Sequence, residues 1–151
     1  MGSLAERHYL TPLFEPASVA VIGASERAGS VGSVLVANML EAGYGGALTA
    51  VNPKYRSVQG VACVEAIGKV GQRVDLAVIA TPAHTVPGVI DECGKAGVRS
   101  AVVITAGFSE TGPAGAKLER ALLESARRHR LRVVGPNCLG LIRPELGLNA
   151  T

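Results

Sequence analysis

Two short stretches carry most of the chemistry this sequence offers. The first, "GASERAGSVG" from residue 23, lies between an apolar run and a helical pattern, and supplies Gly23, Ser25, Ser30, Val31 and Gly32. A glycine-rich turn that opens a helix presents unpaired backbone N–H groups at the positive end of the helix dipole, where an anion is welcome. The second, "NPKY" from residue 52, places Lys54 behind a rigid Asn52-Pro53 pair, directly after another apolar run. An acid there would accept from a ribose 2′-hydroxyl, whereas a cation favours a phosphate. Gly23, Gly29 and Gly32 do not follow the GxGxxG spacing, so the first stretch is a weak fingerprint alone. Its glycines also suit a tight turn and close helix packing. Phosphate binding is preferred because the loops around it are of the same kind.

The elements that must position these residues follow from the hydrophobic pattern. Five apolar runs, "SVAVI", "ALTAV", "DLAVIATP", "SAVVIT" and "LRVVG", alternate with helical patterns such as "VGSVLVANMLEAG", "HTVPGVIDECGKAG" and "GAKLERALLESARRHR". Strands this uniformly apolar need cover on both faces. The pattern predicts an α/β, Rossmann-like doubly wound parallel sheet of about five strands, with helices on both faces. Ligands of such sheets lie across the carboxyl ends of the strands. That edge gathers the two stretches above with Thr81 and Pro82 of "TPAH", Ala106, Gly107 and Phe108 of "AGFSETG", and "GPNCLG".

With 151 residues, 48% of them hydrophobic, the chain is long enough for one substantial core. The expected division is an N-terminal arm over 1–16, a Rossmann-like domain over 17–135, and the start of a connection to a following domain over 136–151. No apolar run approaches the roughly 18 residues of a membrane span, so no membrane is expected as partner. Cys63, Cys93 and Cys138 are odd in number and form no CxxC pair, which with the lack of a secretory pattern suggests the cytoplasm. Net charge is +3, gathered mainly in "ARRHRLR", which reads as a solvated helix end. With aromatic residues at 3%, nucleic acid is not an expected partner.

A catalytic set is not expected. His8 lies in the arm, His129 at a helix end, and His84 starts a helix; Cys138 has no base fixed by spacing. The chain is expected to bind without catalysing. For Lys54 two ligands are suitable: the 2′-phosphate of NADP and the 3′-phosphate of coenzyme A (CoA). The residues leave both open.

The ordered motifs "LFEPASVAVIGASERAGSVG", "AVNPKY", "ATPAHTV", "ITAGFSETG" and "GPNCLG" resemble the CoA-binding domain of the NDP-forming acyl-CoA synthetases, relatives of the succinyl-CoA synthetase alpha subunit. The same domain opens GNAT-linked protein lysine acetyltransferases. The resemblance spans roughly residues 10 to 151. It implies that Gly23, Ser25, Ser30, Val31 and Gly32 cradle CoA phosphates and that Asn52, Pro53 and Lys54 meet the adenosine end. It places Thr81 and Pro82 beside the ligand, with Ala106, Gly107 and Phe108 toward the pantetheine. Where succinyl-CoA synthetases tend to carry an acid in "ITEG", this chain has Ala106, so a role belonging to that acid does not transfer.

The implied ligand is CoA or an acyl-CoA such as acetyl-CoA, and the implied partners are downstream ligase or acetyltransferase domains. The competing readings are an NADP-binding module of an oxidoreductase and a free-standing nucleotide sensor. Self-association as a homo-oligomer is also expected of an isolated domain that leaves surfaces uncovered.

Overall fold

Val19, Ala20, Val21 and Ile22 are all buried, which is possible only for a strand covered on both sides. They form β1 (Ser18–Ile22), the centre of a computed structural model that describes residues 8–151. Around β1 lie α1 (Thr11–Phe14), α2 (Val31–Glu41), β2 (Ala47–Val51), β3 (Ser57–Val58) and β4 (Val61–Val64). They are followed by β5 (Leu76–Ile79), α3 (Val86–Lys95), β6 (Ser100–Val103), α4 (Pro113–Arg128), β7 (Arg132–Val134), β8 (Leu141–Arg143) and β9 (Leu148–Ala150). Pro87 and Pro113 fall in the first turns of α3 and α4, where a missing N–H costs least.

The main sheet has seven strands in the order β3-β4-β2-β1-β5-β6-β7, and every pair is parallel except β3 with β4. Counting only the parallel strands, chain order across the sheet is 3-2-1-4-5-6, the Rossmann arrangement. The five predicted strands are β1, β2, β5, β6 and β7. The expectation of about five is short by the pair β3–β4, which adds an edge outside β2.

Successive side chains of each strand serve opposite faces. Ala20, Ile22, Ala77, Ile79, Ala101 and Val103 pack beneath α3 and α4 with Ile90, Phe108 and Leu122. Val19, Val21, Leu76, Val78 and Val102 pack on the other side with Leu13, Leu35, Val36 and Met39 of α1 and α2. Leu148 and Ala150 of β9 join this second core, both essentially inaccessible to solvent. The segment expected to begin a connection is thus itself folded: β8 and β9 pair as an antiparallel hairpin, and Asn38 of α2 donates from Nδ2 to the Thr151 carbonyl at 2.6 Å. No helix among the described residues is long and apolar enough to cross a membrane.

Candidate functional site

The strand order reverses between β1 and β5, which connect to opposite sides of the sheet, and this is where an open α/β sheet forms a crevice. Gly23 leaves β1 with φ +92°, and a Cβ there would come within 2.7 Å of the Ala80 carbonyl oxygen after β5. Only glycine allows the two turns to approach so closely. Gly32, in the first turn of α2, packs on the Gly23 carbonyl so tightly that a Cβ would overlap it. The packing role of the glycines is therefore real, and it draws the start of α2 against the end of β1.

Ser30 caps that helix, its Oγ accepting from the Ser33 N–H at 3.3 Å and donating to the Arg27 carbonyl at 2.7 Å. Ser25 Oγ accepts from the Arg27 N–H at 3.0 Å and lies 3.4 Å from the Tyr55 hydroxyl. Across the crevice, Asn52 donates from Nδ2 to the Ala24 carbonyl at 2.8 Å, while its Oδ1 accepts from the Lys54 N–H at 2.9 Å. Asn52 thus spends its side chain fastening the two loops together. The Lys54 side chain is left exposed at the rim.

These loops enclose two adjoining cavities. The larger, ≈ 500 Å³, is bordered by Gly23, Ser25, Ser30, Val31, Gly32, Asn52, Lys54, Thr81 and Pro82, as the sequence predicts, and also by Arg27 and Tyr55. The smaller, ≈ 230 Å³, shares Gly23, Asn52, Thr81 and Pro82, adds Pro53, and is walled by Ile22, Val51, Ile67 and Val89. Arg27 was missed although it stands within the quoted glycine loop. A cation within a glycine-rich turn was the available signal.

Ala106, Gly107 and Phe108 border neither cavity. The Phe108 side chain is wholly buried in the core, in one cluster with Leu122 of α4. The Gly107 and Phe108 N–H groups donate to Glu110 Oε1 at 2.6 and 3.1 Å. Those bonds, the Gly107 one foremost, hold the Glu110 carboxyl below the usual range. Glu110 is thus the brace of its own loop. Thr105 Oγ1 donates to the Thr81 carbonyl at 2.7 Å and keeps this loop beside the 81–82 turn.

The residues set aside as non-catalytic have structural places. His129 Nε2 lies 2.8 Å from Asp91 Oδ1, and His84 is exposed in a short 3₁₀ turn before α3. Cys138 Sγ lies 3.3 Å from the Val103 carbonyl, and burial raises its thiol pKa; burial pushes that of Cys93 up to about 12. Neither is a ready thiolate. Among the described residues no cluster of three His, Cys, Asp or Glu is placed to hold a metal.

A sequence profile described as "CoA binding domain" matches residues 17–144. The chain belongs to the CoA-binding domain family. This CoA-binding domain is 50% identical over 139 residues to an acetate–CoA ligase (ADP-forming) of Archaeoglobus fulgidus, covering 92% of the chain but 20% of that ligase. It is 40% identical over 146 residues to the alpha subunit of a Pyrococcus furiosus acetate–CoA ligase, covering 94% of the chain and 32% of the subunit. Its fold superposes with a TM-score of 0.90 and 42% identity on an acetyl-coenzyme A synthetase of Ca. Korarchaeum cryptofilum, solved with phosphate and ADP; the match covers 94% of this chain and 30% of that one. The CoA-binding domain therefore spans about a fifth to a third of these relatives.

Proposed function

We propose that this domain binds CoA or an acyl-CoA at the crevice between β1 and β5, on behalf of a larger ADP-forming acyl-CoA ligase of the acetate–CoA ligase type. The observation that carries this reading is the facing pair of features across one cavity: the capped start of α2 on one side, and Lys54 fixed by Asn52 on the other. Free N–H groups at a helix start and two cations, Lys54 and Arg27, suit a ligand with several phosphates. The loop of Ser25, Ser30, Val31 and Gly32 takes the diphosphate, and Lys54 takes the 3′-phosphate.

The smaller cavity, with its aliphatic wall and the Pro53 and Pro82 rings, takes the adenine ring. The pantetheine arm runs along the backbone of Ala106 and Gly107, which Thr105 holds beside the 81–82 turn. The domain's part in the reaction is to hold and orient the thiol carrier. Acyl and phosphoryl transfer belong to the other domains of the ligase. Family membership sets the NADP reading behind this one, and the likeness to acetate–CoA ligases favours a ligase parent over an acetyltransferase.

Calorimetric titration of the chain with CoA, dephospho-CoA and NADP tests the reading. CoA is expected to bind saturably, and Lys54→Ala to weaken it about ten-fold while leaving dephospho-CoA nearly unchanged, since only a charge-assisted phosphate contact is lost. Saturable NADP binding with no response to CoA would overturn it.

A further inference from the structure

The opposite edge of the sheet carries a second concave site, of ≈ 360 Å³, whose charged borders are Arg73, Arg99, Arg130 and Arg132 against the carboxylates of Asp75 and Glu15. Their convergence follows from the chain's entry into three neighbouring strands. Arg73 lies just before β5, Arg99 immediately before β6, and Arg130 and Arg132 at the start of β7. The registers Leu76↔Ser100 and Ser100↔Arg132 set these entrances side by side. At about 4.8 Å between strands, the guanidinium groups are based along roughly 10 Å of one edge.

A plain structural reading is available: α3 and α4 end at this edge, and helix carbonyl ends attract cations. Lys95, Arg128 and His129 meet that need, and all three are paired with Asp91. The cavity arginines are a different group. Arg73 alone has a carboxylate partner, Asp75 at 3.4 Å, and that carboxylate also accepts the Ala17 N–H at 2.9 Å. Among the described residues, Arg99, Arg130 and Arg132 form no ion pair. Arg130 stands just past the end of α4 with φ +53°, a left-handed conformation that costs a non-glycine residue about 1 kcal/mol. Glycine would be the easier choice there. Tyr9 completes the wall, with the Arg132 guanidinium 5.0 Å from its ring centroid.

From these observations we infer that the amino-terminal edge of the sheet is a second anion site, which takes a ligand bearing a di- or triphosphate group. One carboxylate or a single phosphate engages one or two arginines, whereas an extended polyanion neutralises the row. The site stands at the other end of the strands from the CoA crevice and does not depend on the reading given to that crevice.

The test is titration of the chain with pyrophosphate, tripolyphosphate, ADP and ATP at 150 mM salt. The variants are Arg99→Gln/Arg132→Gln, the control pair Lys117→Gln/Arg120→Gln on exposed α4 positions, and Lys54→Ala. Tripolyphosphate is expected to occupy a site that is roughly ten-fold or more weaker in the Arg99/Arg132 pair and unchanged in the control pair, while Lys54→Ala separates from it any binding at the CoA crevice. Tighter ATP than tripolyphosphate identifies a nucleotide, its base resting by Tyr9; equal affinity identifies the bare oligophosphate. Chemical-shift changes at arginine Nε resonances of the unaltered chain must fall on Arg99 and Arg132, which covers the case of a misfolded variant. Equal weakening in the control pair, loss of all binding in Lys54→Ala, or no saturable binding at this salt overturns the inference.

Discussion

The Oδ1 of Asn52 accepts the backbone N–H of Lys54 at 2.9 Å, while the same side chain reaches Ala24 after β1. One amide thereby sets how far the lysine stands from the glycine-rich loop. Asn52→Ala is expected to weaken CoA about ten-fold, because two hydrogen bonds, one partly buried and one exposed, are lost at up to about 1 kcal/mol each and the loop must be ordered by the ligand. The preference for CoA over dephospho-CoA should shrink with it. Calorimetry with both ligands checks this; an unchanged preference would mean that Lys54 finds its place unaided.

Gly29 and Gly32 lie three residues apart, one in the loop and one in the first turn of α2, and should respond differently to alanine. At Gly29, φ is +74° with open space where a Cβ would go, so Gly29→Ala is expected to cost about 1 kcal/mol of backbone strain. At Gly32 the Cβ meets the Gly23 backbone, which cannot yield as a side chain would. Gly32→Ala is expected to cost roughly 2–3 kcal/mol and to weaken CoA as well, by moving the start of α2. Urea unfolding of both variants measures the contrast. Equal costs would show that the helix shifts freely.

The parallel core was legible because both faces of each central strand are covered, which leaves a continuous apolar run in the sequence. The edge was not. Val58 and Val61 pair across Gln59 and Gly60, both at positive φ, a two-residue hairpin turn whose strands are too short to show an alternation. The crevice residues of the first two loops were legible from glycine, serine and lysine placed after strands. For Phe108 the loop motif does not show where the side chain goes. Its ring fills the core, and the brace on its N–H comes from Glu110, whose role depends on how the loop folds back.

Asp91 gathers Lys95 at 2.7 Å, His129 at 2.8 Å and Arg128 at 3.0 Å. The hydrogen bond from Lys95 foremost, and then that from His129, hold its carboxyl well below the usual aspartate range. A carboxyl depressed in the folded state contributes stability that is fully present above its unfolded pKa, near 4, and lost as pH falls through the folded value. Thermal unfolding from pH 6 to pH 2 should therefore show a loss of stability below about pH 4 that Asp91→Asn reduces. A variant with the same acid slope as the parent chain would place the titrating group elsewhere.

Leu148 decides what the final hairpin does for the domain. It is 0% exposed and packs with Leu35, Val36 and Met39 of α2, the helix whose first turn borders the crevice. Leu148→Ala should cost about 3 kcal/mol, the usual range for a buried leucine lost from a core that only partly collapses. Ile142, on the partner strand, is 52% exposed, so Ile142→Ala should change stability by only about 0.5 kcal/mol. Chemical denaturation distinguishes the two. If the hairpin is a passive extension, both substitutions will be silent; if it closes the core, only Leu148→Ala will lower the midpoint and loosen the start of α2 where the CoA phosphates are proposed to bind.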